Sequence, residues 1–240
     1  MPRFFIEPTE EKEIIINGED ARHIAKTLRM GPGEGVTLCD GQGKDYACEI
    51  ERITDNAVIL CVQAVAQNTS EPSVHLTLYQ ALPKGDKMEM IIQKAVELGV
   101  SRVIPVLTSR CVSRPDDKSA KKKIERWQKI ATEAAKQCGR GKIPKIEPVM
   151  SFETALQQAD QQARLLFYER GGQAVEQLLG RETTSVAIVV GAEGGFEQKE
   201  VELAGRYGFF PVGLGPRILR CETAPLTAAS IVMYLTGNMQ

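Results

Sequence analysis

The sequence is poor in the side chains that bind structural metals. Its six cysteines include no Cys-x-x-Cys pair, and the only histidines are His23 and His75, so no zinc-binding pattern can be assembled. Free thiols of this kind are typical of a reducing cytosol. We therefore expect unpaired cysteines and no metal centre.

Long apolar runs are also missing. No stretch approaches the roughly 18 to 20 uncharged apolar residues of a membrane span, and residues 1–7 lack the longer apolar run of a signal peptide. The 240 residues, of which 42% are apolar and 25% charged, are enough for one large domain or two modest ones. These observations predict a globular protein of the cytoplasm.

The common nucleotide-binding patterns are absent from the two glycine-bearing stretches, residues 191–196 and 214–224. Neither stretch matches Gly-x-Gly-x-x-Gly or the Walker pattern, which removes the sequence support for dinucleotide and NTP folds. Each stretch follows a short apolar run that predicts a buried strand, and each precedes a predicted helix. Because ligands of open α/β sheets bind at such strand ends, both stretches are candidate ligand loops.

Charged residues in the second stretch favour a ligand over a purely structural turn. Glycines at a strand-to-helix turn can serve only to permit a positive φ angle, and this remains the alternative. Arg217, Arg220 and Glu222, however, lie close to a predicted buried strand. Core packing explains them poorly because ions are rarely buried without partners.

The charge of the chain is unevenly spread. The net charge of -1 argues against a protein coated with nucleic acid. Residues 1–68 hold 7 Lys and Arg against 12 Asp and Glu, and residues 146–240 hold 7 against 11. Residues 84–145, by contrast, hold 16 against 7. A local basic excess can be plain solvated surface, but it is also the electrostatic footprint of a site for a polyanion.

Short β-like runs separated by turn signals predict a small β-barrel or sandwich in the N-terminal part. One helix interrupts them at about residues 18–30 and stops before Gly31-Pro32-Gly33. Residues 66–73 are polar, contain a proline and lack periodicity, so we predict a linker there. The predicted strands are residues 13–16, 35–39, 45–52 and 56–65.

After residue 73, strand-like and helix-like segments alternate, which predicts a mostly parallel sheet. The first helix, near residues 88–98, shows apolar residues at helical spacing and an outward polar face that includes Lys87. A long basic helix is predicted at about residues 118–138. An apolar one, at about residues 223–235, indicates burial, with a second subunit as one option. The predicted strands are residues 74–82, 102–107, 164–168, 185–190 and 209–214.

The two candidate loops resemble the signature loops of the SPOUT methyltransferases, specifically the RsmE family. The first reads Gly-Ala-Glu-Gly-Gly at residues 191–195, and the second reads Leu-Gly-Pro-Arg-Ile-Leu-Arg-Cys-Glu-Thr-Ala at residues 214–224. Further similar segments extend the resemblance over essentially the whole chain. They are residues 3–5, 23–24, 28–30, 93–100, 126–127, 133–137 with Arg140, and 143–144.

That resemblance implies an S-adenosylmethionine-dependent enzyme that methylates N3 of a specific uridine in the 16S ribosomal RNA of the small ribosomal subunit. It implies an α/β protein with a PUA-like β-barrel for RNA over residues 1–70. Residues 74–240 would form a SPOUT domain with a deep trefoil knot, which binds the cofactor and forms a homodimer. The knot rests on resemblance alone, because general folding rules make a threaded chain improbable.

The same resemblance assigns the cofactor site to three loops, with backbone groups reading the adenine and apolar side chains covering its faces. The residues assigned to it are Leu166, Phe167, Tyr168, Gly191, Glu193, Gly194, Gly195, Leu214, Gly215, Ile218 and Leu219.

Uracil N3 carries a proton at neutral pH, so the enzyme must remove it or favour the ring anion. Arg220 is the candidate for stabilising the developing negative charge, with Glu193 as a base or as the partner that positions it. An Arg–Glu pair that only braces the knot is the alternative. RNA contact is assigned to basic side chains: Arg3, Arg22, Arg29, Arg110, Arg114, Lys121, Lys122, Lys123, Arg126, Arg140 and Lys142.

Two positions depart from the family pattern. Ala192 stands where the family commonly has proline, and Cys221 fills a variable position. A nucleophilic Cys221 that attacks the pyrimidine is a hypothesis we disfavour, because N3 methylation needs no covalent adduct. Two alternatives to the whole function stay open: a non-catalytic RNA-binding or ribosome-assembly factor, and a SPOUT methyltransferase that acts on another RNA.

Overall fold

The computed structural model describes residues 1–239. Within that range, no helix is both long enough and apolar enough to cross a membrane. The chain forms two compact units. The first contains residues 1–71 and 135–143, and the second contains residues 72–134 and the chain from Pro144 onward. The sequence patterns did not predict that residues 135–143 belong to the first unit.

The first unit is built on a five-stranded sheet. Its strands are β1 (Arg3–Phe5), β2 (Glu13–Asn17), β3 (Gly35–Cys39), β4 (Lys44–Ile53) and β5 (Ala57–Gln67), in the order β1-β3-β4-β5-β2. β1 is parallel to β3, and the other neighbours are antiparallel. Side chains alternate between faces: in β2, Ile14 and Ile16 are buried while Ile15 is exposed. The predicted strands of this unit are therefore confirmed to within a few residues.

The single predicted helix of the first unit is shorter than expected. Helix α1 (Gly18–Arg22) continues as a π-helical turn (His23–Thr27) and stops there. Arg29 adopts the left-handed conformation, with φ at 54°. The Met30 amide then donates to the carbonyl of Ile24 at 3.1 Å, which closes the helix end. Residues 28–30 are thus a helix cap instead of the last helical turn.

The predicted linker is held by hydrogen bonds within the first unit. β5 extends to Gln67, and the side-chain amide of Asn68 donates to Asp45 at 2.9 Å and to the carbonyl of Gly139 at 3.1 Å. The carboxylate of Glu71 accepts from Arg140 Nη2 at 2.8 Å. Only 4% of the Arg140 side chain is exposed. Arg140, predicted to contact RNA, is therefore a buried structural cation, because an ion pair offsets the cost of burying its charge.

The second unit contains a seven-stranded sheet in which every neighbouring pair is parallel. Its order is β12-β10-β11-β6-β7-β8, with β9 also paired to β7. The predicted alternation of strands and helices is confirmed. The strands are β6 (His75–Ala81), β7 (Arg102–Leu107), β8 (Lys145–Ile146), β9 (Met150–Ser151), β10 (Ala163–Phe167), β11 (Ser185–Val190) and β12 (Phe210–Val212).

Among the described residues, four helices lie between these strands along the chain and a fifth follows β12, and apolar residues at helical spacing form their buried faces. In the first of them, Met88, Ile91, Ile92, Ala95 and Val96 are buried, as predicted. The helices are α2 (Lys87–Glu97), α3 (Asp117–Cys138), α4 (Phe152–Gln157), α5 (Gln198–Arg206) and α6 (Thr223–Leu235), with a 3-10 turn at Val175–Gln177.

The strand register brings the ends of four strands to one edge of this sheet. Phe167, the last residue of β10, lies opposite Val190 of β11 and Val212 of β12, which are the last residues of their strands. Val190 in turn lies opposite Gln80 of β6. Because parallel strands end on the same side, the segments that follow them meet at this edge.

Candidate active site

A cleft of about 550 Å³ opens at the carboxyl edge of the parallel sheet, within the second unit. Its walls come from the segments that follow β10, β11 and β12 and from the first residues of α2 and α6. The two glycine-bearing stretches predicted to be ligand loops thus face the same space. The lining residues include Lys87 of α2, Glu169 after β10, and Glu222 and Ala224 at the start of α6.

The first glycine loop is crowded at its glycine positions. A Cβ atom at Gly191 would lie 3.1 Å from the Cα atom of Gly195, and one at Gly194 would lie 2.8 Å from the Cβ atom of Arg110. Gly195 has φ at +62°, and a Cβ there would lie 3.0 Å from the Glu169 carboxylate. Glycine is therefore required here by the backbone conformation and by the lack of space, which is the structural role given above as the alternative. The missing side chains also let the backbone form the wall of the cleft.

All the predicted cofactor residues line this cleft except Leu166, which is fully buried within β10. Arg220, predicted to be catalytic, lines it as well. The sequence patterns gave no site role to Lys87, which also lines the cleft. Arg217, noted in the sequence beside Arg220 and Glu222, is a further lining residue.

An ion cluster joins three walls of the cleft. The ammonium group of Lys87 lies 2.9 Å from Glu193 Oε1 and 3.5 Å from Glu222 Oε2. The backbone amide of Lys84 also donates to the Glu193 carboxylate, at 3.2 Å. Burial opposes ionisation of Glu193, but the bonds from Lys87 and from the backbone amides of Glu193 and Lys84 outweigh it and lower its pKa to about 2. The hydrogen bond between Lys87 and Glu193 also raises the pKa of Lys87.

The expected Arg220–Glu193 pair is not formed, because Lys87 occupies that position. Among residues 1–239, neither Arg217 nor Arg220 forms an ion pair with another side chain, and both are exposed. The alternative in which an Arg–Glu pair braces this region therefore has to be corrected: the bracing cation is a lysine of α2. No spacing rule identifies Lys87, because its position on α2 predicts a solvated face.

Cys221 is poorly suited to be a nucleophile. Its thiol is buried, with 6% of the residue exposed, and lies 3.1 Å from Glu222 Oε2. Burial, the hydrogen bond to Glu222 and the nearby charge of Glu193 raise the pKa of Cys221 to about 12. Since the thiolate is the reactive form, this geometry disfavours the covalent hypothesis.

The basic side chains of the second unit that were predicted to contact RNA differ in their exposure and in the contacts they already make. Lys121 and Lys122 are exposed, while Lys123 lies 5.9 Å from the centre of the buried Trp127 ring. Arg126 is exposed but pairs with Glu89 at 2.7 Å. Two further arginines predicted to contact RNA each donate a hydrogen bond to a backbone carbonyl. Arg110 donates to the carbonyl of Gly194, and Arg114 donates to that of Thr108.

The RNA-contact predictions of the first unit also divide. Arg22, Arg29 and Lys142 are exposed. Arg3 is largely covered and forms a two-pronged pair with Asp45, so its guanidinium group is already engaged. Together with Arg140, it belongs to the frame of the unit and does not present a free cation. Separately, no cluster of three His, Cys, Asp or Glu side chains within residues 1–239 could hold a metal ion.

Comparison with known proteins agrees with this fold and cleft. A family model described as the RNA methyltransferase domain matches residues 69–233, and one described as the RNA methyltransferase PUA domain matches residues 16–61. The fold and site are thus those of an RNA methyltransferase with a PUA domain. The chain belongs to the ribosomal RNA small subunit methyltransferase E family.

Two relatives show how closely the chain follows that family. The Bacillus subtilis ribosomal RNA small subunit methyltransferase E is 38% identical over 250 residues, which cover 98% of this chain and 97% of the relative. The structure of the Neisseria gonorrhoeae protein of the same name, bound to S-adenosyl methionine, is 30% identical with a TM-score of 0.89 and covers 98% of both chains. A Legionella pneumophila methyltransferase with bound SAM has a TM-score of 0.87 at 32% identity, over 97% of this chain and 96% of that one.

The buried thiol predicts slow alkylation. At about pH 7.5, the thiolate of Cys221 should be on the order of a thousandfold rarer than that of an ordinary cysteine. We expect iodoacetamide to label Cys221 far more slowly than the partly exposed Cys61. Peptide-resolved mass spectrometry of the native protein measures both rates. Labelling of Cys221 at or above the rate of Cys61 would contradict this description of the thiol.

Proposed function

We propose that this protein transfers a methyl group from S-adenosylmethionine to N3 of a specific uridine in the 16S ribosomal RNA of the small subunit. The observation that carries the proposal is the cleft at the carboxyl edge, walled by the backbone of residues 191–195. Relatives with 30% and 32% identity and the same fold have been solved with this cofactor. The methylated position and the base are drawn from the family resemblance.

The chemistry of the cleft fits this cofactor. Apolar side chains of Phe167, Val190, Leu214, Ile218 and Leu219 line it and suit an adenine ring. Its carboxylates, those of Glu169, Glu193 and Glu222, suit a cationic ligand. S-adenosylmethionine would supply an electrophilic methyl group on its sulfonium.

The contribution of the chain is to hold the reacting groups in line and to favour the uracil anion. Arg220 is exposed at the cleft without an anionic partner among residues 1–239, so its guanidinium group is available to a uracil oxygen. Glu193, with its pKa of about 2, is a weak base at neutral pH. We therefore assign stabilisation of the ring anion to Arg220 and a positioning role to Glu193.

The wider assembly is also part of the proposal. On family resemblance, the first unit is a PUA-like barrel that binds RNA, and the second contains a deep trefoil knot. Two copies would associate as a homodimer. We place the contact between the copies at the apolar helix α6, on which Tyr234 is 63% exposed.

The first test is cofactor binding and methyl transfer with a matched pair of glycine variants. Gly195→Ala places a Cβ at φ +62° and 3.0 Å from Glu169, so we expect affinity for S-adenosylmethionine to fall about tenfold. The control is Gly205→Ala, on the exposed face of α5, where no atom lies within 4 Å of the new Cβ. This variant should bind S-adenosylmethionine as tightly as the wild type. Calorimetry measures both affinities.

The same proteins are then given labelled S-adenosylmethionine and small ribosomal subunits from a strain that lacks this protein. Nucleoside analysis should find 3-methyluridine at one site. Cofactor binding without transfer would point to another RNA. A wild-type protein that binds no S-adenosylmethionine would leave the non-catalytic RNA-binding function instead.

Loss of the proposed charge stabilisation should affect turnover more than binding. We expect Arg220→Ala to lower kcat by about a hundredfold to a thousandfold, because a hydrogen-bond donor to the developing anion is removed. Its affinities for S-adenosylmethionine and RNA should change little. Single-turnover assays with saturating subunits measure the rate. Wild-type turnover in this variant would remove Arg220 from the catalytic role.

Phosphate contacts predict a specific salt dependence. We expect the double variant Lys121→Glu and Lys122→Glu to weaken RNA binding and to flatten the plot of log affinity against log salt by about one to two. Lys199→Glu on α5, where the lysine pairs with Glu197 at 2.8 Å, is the control and should keep the wild-type slope. Filter binding over a salt series measures both. An unchanged slope in the double variant would show that the start of α3 is not the RNA surface.

A further inference from the structure

Lys87 is the one basic side chain that bridges both glycine-bearing stretches in the described part of the chain. It begins α2, while its partners lie in the loop after β11 and just before α6. Its ammonium group contacts Glu193 at 2.9 Å, Glu222 at 3.5 Å and the thiol of Cys221 at 3.6 Å. Two of these contacts, to Glu193 and Cys221, are hydrogen bonds that the ammonium group donates, and the contact with Glu222 is an ion pair.

The position of Lys87 differs from that of an ordinary surface lysine. Among residues 1–239, Lys94, on the same helix, pairs with Glu97, three residues away, and lies outside the cleft. Lys87 instead joins side chains more than a hundred positions away and lines the cleft itself. The two pairs are similarly exposed, so each adds little stability as a pair. Lys87 differs because its partners lie in two separate segments of the cleft wall.

The surroundings of Glu193 make the lysine the controlling charge. On its α2 side lie Lys87 and the backbone amide of Lys84. The other charged or titratable groups around it in the cleft are Tyr168, Glu169, Arg217, Arg220, Cys221 and Glu222. The two arginines form no ion pair with Glu193, and none of the other four groups can carry a positive charge. Without Lys87, the carboxylates of Glu193 and Glu222 would therefore share the site with no bound cation.

We propose that Lys87 is a positioning residue of the cofactor site, which ties the loop after β11 to the start of α6 and keeps Glu193 an anion at the cleft wall. This inference rests on the proposed function. It assigns Lys87 no proton transfer and no contact with the methyl group. Its effect is exerted through the two carboxylates that it holds.

The role has a pH signature that simple loss of packing lacks. Glu193 has a lowered pKa, so its anion is fully present above the ordinary range for glutamate and is lost only as pH falls toward about 2. Cofactor affinity in the wild type should therefore be flat at moderately acidic pH. Without the ammonium group, the two carboxylates repel each other, and one should take up a proton at higher pH. The affinity of such a variant should fall as pH is lowered.

The test compares Lys87→Met, Lys87→Arg and the control Lys94→Met by calorimetry with S-adenosylmethionine over about pH 4 to 8. We expect Lys87→Met to bind about tenfold more weakly at neutral pH and to weaken further in acid. Lys87→Arg keeps a cation and should recover most of the affinity and the flat profile. Lys94→Met should match the wild type. Thermal unfolding of each variant at each pH reports whether it is folded.

Each outcome bears on the proposal. An affinity of Lys87→Met equal to the wild type would overturn it. So would a loss that is the same at every pH and is not recovered by arginine, since that pattern indicates lost packing alone. If Lys87→Met fails to fold, the pH profile of Lys87→Arg decides, because a displaced cation should still keep it flat. A wild-type protein that binds no S-adenosylmethionine refutes the proposed function itself, which the variants cannot mimic.

Discussion

The alignment of strand ends in the parallel sheet is the constraint on which the rest of the site depends. Parallel pairing in register places Phe167, Val190 and Val212, the last residues of β10, β11 and β12, side by side. The segments that follow these strands therefore meet at one edge of the sheet. A cleft with walls from distant parts of the chain results, and it needs no long insertion to form.

Crowding at that edge then selects the residues. With three loops and two helix starts converging, Gly191, Gly194 and Gly195 of the loop after β11 have little room for a side chain, and their identity follows from that lack of space. The same convergence brings acidic side chains together, which would repel each other without a cation. The ammonium group of Lys87 offsets that repulsion by pairing with Glu193 and Glu222. The glycines and the lysine therefore both follow from the close approach of the segments at the strand ends.

In the basic segment, residues 84–145, the number of Lys and Arg residues does not tell which of them are exposed. The Lys and Arg residues that make residues 84–145 basic have different structural roles. Lys121 and Lys122 are exposed, whereas Arg140 is buried against Glu71. A count of charges cannot separate them, because burial of an arginine depends on a carboxylate 69 positions away in the chain.

The sequence by itself determined the longer strands, most of the helices and the two glycine-bearing stretches at strand ends, because periodic burial and glycine at tight turns are local properties of the chain. It also carried the family resemblance through those loops. Only the tertiary structure decided that Glu193 pairs with Lys87 instead of Arg220, and that Cys221 is buried beside Glu222. The contact between Lys87 and Glu193 joins residues 106 positions apart, and the burial of Cys221 depends on the same convergence of loops. Both are set by strand order and register, which no local pattern encodes.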